Sequence, residues 1–144
     1  MTLRKFIRKS ILPALLLCAA LAPAQAQDRL KEQQQAFVNQ KFGMFIHFNM
    51  PTFADEDWPD PDLPAETFYP AQLDCGQWAD AALSAGMRFG CLTTKHHSGF
   101  CIWDTKTTDY NVMHSPLKRD VVREYADAFR AKGLGVMLYY SILD

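Results

Sequence analysis

Three short apolar runs, at 41–48, 89–94 and 134–140, alternate with helix-patterned segments. This alternation constrains the fold more than any other feature of the chain. Lys41-Phe42-Gly43-Met44-Phe45-Ile46-His47-Phe48, Phe89-Gly90-Cys91-Leu92-Thr93-Thr94 and Leu134-Gly135-Val136-Met137-Leu138-Tyr139-Tyr140 have the length and apolarity of strands buried on both faces. Before the second run, Asp74 can cap a helix with Trp78, Ala81, Ala82 and Ala85 on one face, stopped by Gly86. Before the third, Asp120 can cap a helix with Val121, Tyr125, Ala128 and Phe129 on one face, ended by Gly133. Strand and helix in this order imply an α/β fold, a parallel sheet covered by helices. Residues 28–40 are polar and expected to be helical or frayed, and residues 49–70, with five prolines and many acids, are expected to form a long loop. Three strands and two helices leave the third strand as an open edge. A chain ending four residues after that strand therefore reads as the first part of a larger fold.

The first 26 residues carry Arg4, Lys5, Arg8 and Lys9, an apolar stretch from Ile11 to Ala22, and Ala24-Gln25-Ala26. A basic start, a short apolar core and an A-x-A site make a secretory signal, and the core is shorter than the roughly 20 residues of a membrane span. The expectation is removal of residues 1–26, a mature domain over 27–144, a periplasmic or secreted location, and no membrane attachment after cleavage. Of the 15 Lys and Arg, 11 then remain against 16 Asp and Glu. A mildly acidic chain without a basic stripe does not suit nucleic acid. Cys75, Cys91 and Cys101 are an odd number without CxxC spacing, so they read as small apolar residues.

The polar groups gather at the strand ends: His47 at the first, His96 and His97 at the second, Tyr139, Tyr140 and Ser141 at the third. In parallel α/β folds the C-terminal strand ends form the ligand face. Side chains alternate along a strand, so His96 and His97 share a pocket only if the chain bends there, and one of the two tyrosines faces away. Zinc needs three ligands at defined spacing, and no HxH or HExxH motif is present. Ser98 follows His97 but lacks the glycine pattern of a nucleophile elbow. A polyol site, where imidazoles, an indole and a phenol bond to hydroxyls and stack on a sugar, fits these residue types best.

Several longer motifs stand in order: KFGMFIH at 41–47, Tyr69-Pro70 with Asp74 and Trp78, KHHSGF at 95–100, Cys101-Ile102-Trp103, TDYNV at 108–112, RDVV at 119–122 and LYYS at 138–141. Together they resemble the N-terminal part of the catalytic domain of glycoside hydrolase family 29, the α-L-fucosidases, over about residues 36–144. The resemblance implies a (β/α)₈ TIM barrel, of which this chain holds the first three strands and two helices. It implies retaining hydrolysis of terminal α-L-fucose from oligosaccharides or glycoconjugates, without a cofactor. His47 resembles the first-strand histidine that binds fucose hydroxyls, and His96 and His97 the histidine pair that does the same. Trp58 resembles the loop tryptophan of the sugar pocket, and Tyr139 or Tyr140 the tyrosine near the anomeric centre. Trp103 and Asp109 read as packing and loop-fixing residues.

Two positions depart from the family pattern. Ser98 stands where KHHDGF has aspartate, and Asn49 where the first strand is usually followed by glycine. Phe48 and the stretch from Ser115 look more like the branch specific for α-1,3/1,4 linkages. A retaining glycosidase needs two carboxylates about 5–5.5 Å apart. The family's nucleophile, on the fourth strand, and its later acid/base glutamate both fall after residue 144, so this polypeptide alone is expected to be inactive. Asp55, Glu56, Asp57, Asp60, Asp62 and Glu66 read as a solvated acidic loop face, and Asp144 could reach the rim. The competing expectation is a non-catalytic fucose-binding pseudoenzyme module.

Overall fold

The computed structural model describes residues 27–143, so the signal-like segment 1–26 and Asp144 lie outside the described residues. The chain forms two units, one up to Lys41 and one from Phe42 onward. In the first, residues 27–40 are the helix α1, exposed along nearly all its length, and Lys41 follows with a left-handed φ of 56°.

The second unit runs β1 (Gly43–Ile46), α2 (Met50–Ala54), α3 (Cys75–Ser84), β2 (Phe89–Lys95), α4 (Val121–Ala131) and β3 (Gly135–Tyr140). Single 3-10 turns lie at Ala65–Thr67 and Val112–His114. The strands form one parallel sheet in the order β1-β2-β3, with Phe45 opposite Cys91 and Cys91 opposite Met137. Both crossover helices start where an aspartate can accept an orphan N–H: Asp74 Oδ1 from Gln77 N, and Asp120 Oδ1 from Arg123 N.

One face of the sheet is packed and the other is open. Met44, Ile46, Leu92 and Val136 turn toward the helices, where Tyr125, Phe129 and Ala82 are fully buried. Gly90 belongs to this face for a steric reason. A Cβ there would lie 2.4 Å from the Phe129 ring and 2.9 Å from the Tyr125 hydroxyl, so only glycine lets α4 approach β2 this closely. On the opposite face, Phe45 is 58% exposed. The expectation of strands covered on both sides thus holds for one face of the described residues. Helix α3 is also rotated from the stripe read in the sequence: Cys75, Ala79 and Ala82 are buried, whereas Ala81 and Ala85 are exposed. Trp78 decides the rotation, because its ring packs edge-on against Phe48 at 5.1 Å and stays only half-buried.

The loop expected over 49–70 contains a helical turn. Asn49 caps α2: its Oδ1 accepts from Met50 N and Thr52 Oγ1 accepts from Asn49 N, with Pro51 in the first turn. Three carbonyls, of Thr93, Thr94 and Phe100, accept from Asn49 Nδ2 at 3.3, 3.4 and 3.3 Å. Asn49 is 1% exposed. It therefore ties the end of β1 to the end of β2, a task no glycine side chain could perform. Below the loop, Phe48, Phe53 and Phe68 form an edge-to-face cluster at 4.9–5.6 Å that continues to Phe100 and Tyr110. These rings, Phe68 and Phe100 buried and the other three partly so, hold the proline-rich segment in place rather than backbone regularity.

Candidate functional site

Alternation along β1 puts Phe45 and His47 on the open face, and along β3 it puts Met137 and Tyr139 there. In β2 the alternation is broken once. Thr93 pairs with Tyr139 but Lys95 pairs with Tyr140, so β2 spends one extra residue between them. This bulge turns Lys95 to the same side as Tyr140, with Nζ 5.1 Å above the Tyr140 ring. His96 is thereby returned to the open face. The chain then turns, with Gly99 N donating to His96 O at 3.0 Å and Gly99 at a φ of 85°. The bend needed for His96 and His97 to share one site is this bulge and turn.

The result is a continuous arc of rings. Tyr139 meets Phe45 at 5.9 Å, Phe45 meets His47 at 5.7 Å, and His47 meets His96 at 4.9 Å. His96 meets His97 at 4.7 Å, and Trp58 stacks on His97 at 4.6 Å with the planes 13° apart. Five of the six residues proposed from the sequence are thus brought together: His47, Trp58, His96, His97 and Tyr139. Tyr140 is not among them. Its ring lies on the opposite face, 6.1 Å from Trp103, beside an apolar cleft of about 240 Å³ lined also by Thr94, Val122 and Leu138. Strand alternation is the physical reason: Tyr140 cannot share the side of Tyr139. Trp103 has a packing role on that same face, and Asp109 is exposed.

The electrostatics favour a neutral ring at His96. His96 is buried, and its pKa is lowered by desolvation first and by His47 and His97 next, against a raising effect of Asp57. A neutral imidazole has one donor and one acceptor, the complement of a sugar hydroxyl. The Nδ1 of His96 and the Oγ of Ser98 are buried without a hydrogen-bond partner among the described residues. His97 Nδ1 lies 2.6 Å from Ser141 Oγ. Trp58 is 71% exposed, so its ring walls the arc without being part of the core. The six loop acids are all exposed, as expected of a solvated face. Cys75, Cys91 and Cys101 are free thiols, and burial pushes Cys75 up to about 12. Among the described residues no group of three or more His, Cys, Asp and Glu side chains could hold a metal ion, and no helix is long and apolar enough to cross a membrane.

Phe45 escaped the sequence reading, and Asn49 and Ser141 were named there without the roles the structure gives them. Phe45 was legible as the i−2 neighbour of His47 on one strand face. Asn49 carried a capping signal, an Asn followed by Pro at the second helical position and Thr at the third. Ser141 was seen at a strand end, but its pairing with His97 spans 44 residues and left no local trace.

A parallel sheet crossed over by helices, with rings and polar groups at its C-terminal strand ends, places the chain in the α/β class of folds, whose ligand sites lie at those ends. Residues 52–144 match the sequence profile described as alpha-L-fucosidase. The fold is similar to the crystal structure of a glycoside hydrolase 29 family member from an unknown rumen bacterium. That match has 42% identity and a TM-score of 0.76, and covers 78% of this chain and 21% of that one. It is also similar to α-L-fucosidase isoenzyme 1 from Paenibacillus thiaminolyticus, with 41% identity, a TM-score of 0.66, and 78% and 30% of the two chains covered. Among sequences, α-L-fucosidase 1 of Arabidopsis thaliana is 39% identical over 104 residues, 70% of this chain and 21% of that protein. The chain belongs to the α-L-fucosidase family, glycoside hydrolase family 29. It spans about a fifth of the length of the curated relatives it matches first.

Proposed function

We propose that this chain supplies the sugar-holding part of an exported α-L-fucosidase, which releases terminal α-L-fucose from oligosaccharides or glycoconjugates with retention of configuration. The observation that carries the reading is the arc from Trp58 through His97, His96 and His47 to Tyr139. Fucose offers three ring hydroxyls and a methyl group. Neutral imidazoles can donate to or accept from the hydroxyls, while the exposed Trp58 and Phe45 rings suit the apolar face and the methyl.

In this reading the sheet is the opening of a (β/α)₈ barrel, and the apolar cleft beside Tyr140 and Val122 receives the next helix. The two carboxylates of the retaining mechanism come from segments after residue 144, so the 144-residue polypeptide binds sugar weakly at best and does not cleave it. Residues 1–26 direct export to the periplasm or beyond, and neither nucleic acid nor membrane is a partner of the mature protein. Ser98 and Asn49, which depart from the family pattern, reshape the rim, and Phe48 with the stretch from Ser115 favours α-1,3/1,4 linkages.

The test is an assay of the full-length product of the reading frame on a chromogenic α-L-fucoside, with the 144-residue chain beside it. Fucose release by the longer protein alone is the expected result. Fucose binding without cleavage would make the protein a sugar-binding pseudoenzyme, and neither binding nor cleavage would remove the sugar reading altogether.

A further inference from the structure

Ser141 occupies a position with more bonds than a strand-end serine needs. Its N donates to Lys95 O at 3.0 Å and its O accepts from Lys95 Nζ at 3.3 Å, so the backbone is held on both sides. The side chain is 4% exposed and therefore has little access to solvent. Its hydroxyl lies 2.6 Å from His97 Nδ1 and 3.0 Å from Leu143 O. A serine hydroxyl carries a single hydrogen. A carbonyl oxygen can only accept, so that hydrogen goes to Leu143, and the lone pair of Oγ is what faces His97. Nδ1 must then carry the proton.

From this hydrogen-bond chain we infer that Ser141 is a positioning residue that selects the Nδ1–H tautomer of the His97 imidazole. The ring is thereby left with Nε2 as a bare acceptor for a ligand hydroxyl. The chain Leu143 O, Ser141 O–H, His97 Nδ1–H has one direction throughout. Trp58, stacked on the same ring, keeps it from turning over. A ligand that presents a hydroxyl donor to Nε2 is favoured, and one that presents only a carbonyl or ether oxygen there is not. Among the described residues, the His96 ring, the Trp58 ring and Ser141 lie against His97, and none of these three is an anion.

The ligand half of this inference rests on the fucose reading given above, whereas the tautomer half does not, and two measurements on the full-length protein separate them. The first is a nitrogen-15 correlation spectrum of the histidine side chains at pH 8. Protonated Nδ1 and unprotonated Nε2 are expected at His97 in the unsubstituted protein and in Ser141→Thr, which keeps the hydroxyl. A mixture of both tautomers is expected in Ser141→Ala. An Nε2–H tautomer in the unsubstituted protein, or one unchanged by Ser141→Ala, overturns the inference. No variant is needed for the first of these outcomes, so a misfolded Ala variant cannot rescue it. The second measurement is a titration with L-fucose, followed at the His97 Nε2 signal. Ser141→Ala is expected to weaken binding about tenfold, the size of one lost oriented hydrogen bond, with Ser141→Thr restoring it. If the tautomer is as expected but L-fucose leaves Nε2 unmoved, the acceptor role toward fucose is overturned while the Ser141–His97 coupling stands.

Discussion

The two faces of the sheet use aromatic side chains in opposite ways. Toward the helices, Tyr125 and Phe129 are fully buried, their rings 4.5 Å apart, over a strand glycine that makes room for them. Away from the helices, Phe45 and Trp58 are 58% and 71% exposed, and their ring neighbours are histidines and Tyr139. The first arrangement removes apolar area from water and holds the fold together. The second leaves apolar area in water beside donors and acceptors, which stabilises little and, on the function proposed above, suits a sugar. The same residue type is therefore buried in the core or left open to solvent according to which side of the sheet it occupies.

The contrast can be broken at several points. The largest effect is expected on the covered face: Phe129→Ala should cost about 3–5 kcal/mol in urea denaturation of the protein. Phe45→Ala on the open face should cost less than about 1 kcal/mol. Equal costs would show that the open face is packed in solution. Gly90→Ala comes next, at about 1–3 kcal/mol, because its Cβ would intrude on Phe129. Asn49→Ala removes a cap and leaves three carbonyls without their shared donor, and about 1–3 kcal/mol should be lost in the same assay. Gly at 49 should do no better than Ala if the Nδ2 bonds matter more than the backbone.

A pH titration sharpens the comparison further. The pKa of His96 is lowered in the folded chain from an ordinary 6.5, so the unfolded chain takes up the proton first. Its contribution to stability is present above pH 6.5 and lost as the pH falls from there through the folded pKa. Replacing His96 by Gln should flatten that part of the stability–pH curve, and an unchanged curve would place the linkage on another group. The smallest effect on stability belongs to Trp58→Ala, within about 0.5 kcal/mol. Affinity for L-fucose should fall about tenfold or more in the same variant, and an unchanged affinity would remove Trp58 from the site.

Much of this was legible along the chain because the signals are local. Asp74, Asp120, Gly86 and Gly133 punctuate the helices through caps and left-handed turns, which depend on a few neighbouring residues. Strand ends bearing His47, His96, His97 and Tyr139 follow from reading direction in a parallel sheet. The misreadings arose where distant groups decide. Ala81 and Ala85 have the period of a buried stripe, but Trp78 seeking Phe48 turns α3 away from them. Tyr139 and Tyr140 are equivalent as letters, and only the pairing of Thr93 and Lys95 with β3 separates them.

The sequence by itself determined the α/β class, the parallel order, the capped helices and the residue types available at the strand ends. Each depends on periodicity, on dihedral preference or on side-chain chemistry, all of which act within a few residues. Only the tertiary structure decided that a bulge at the end of β2 returns His96 to the open face. It also decided that Asn49 bridges two strands and that Ser141 meets His97. Those outcomes rest on hydrogen bonds and ring contacts across 44 to 51 positions of sequence, whose geometry exists only once the sheet has formed.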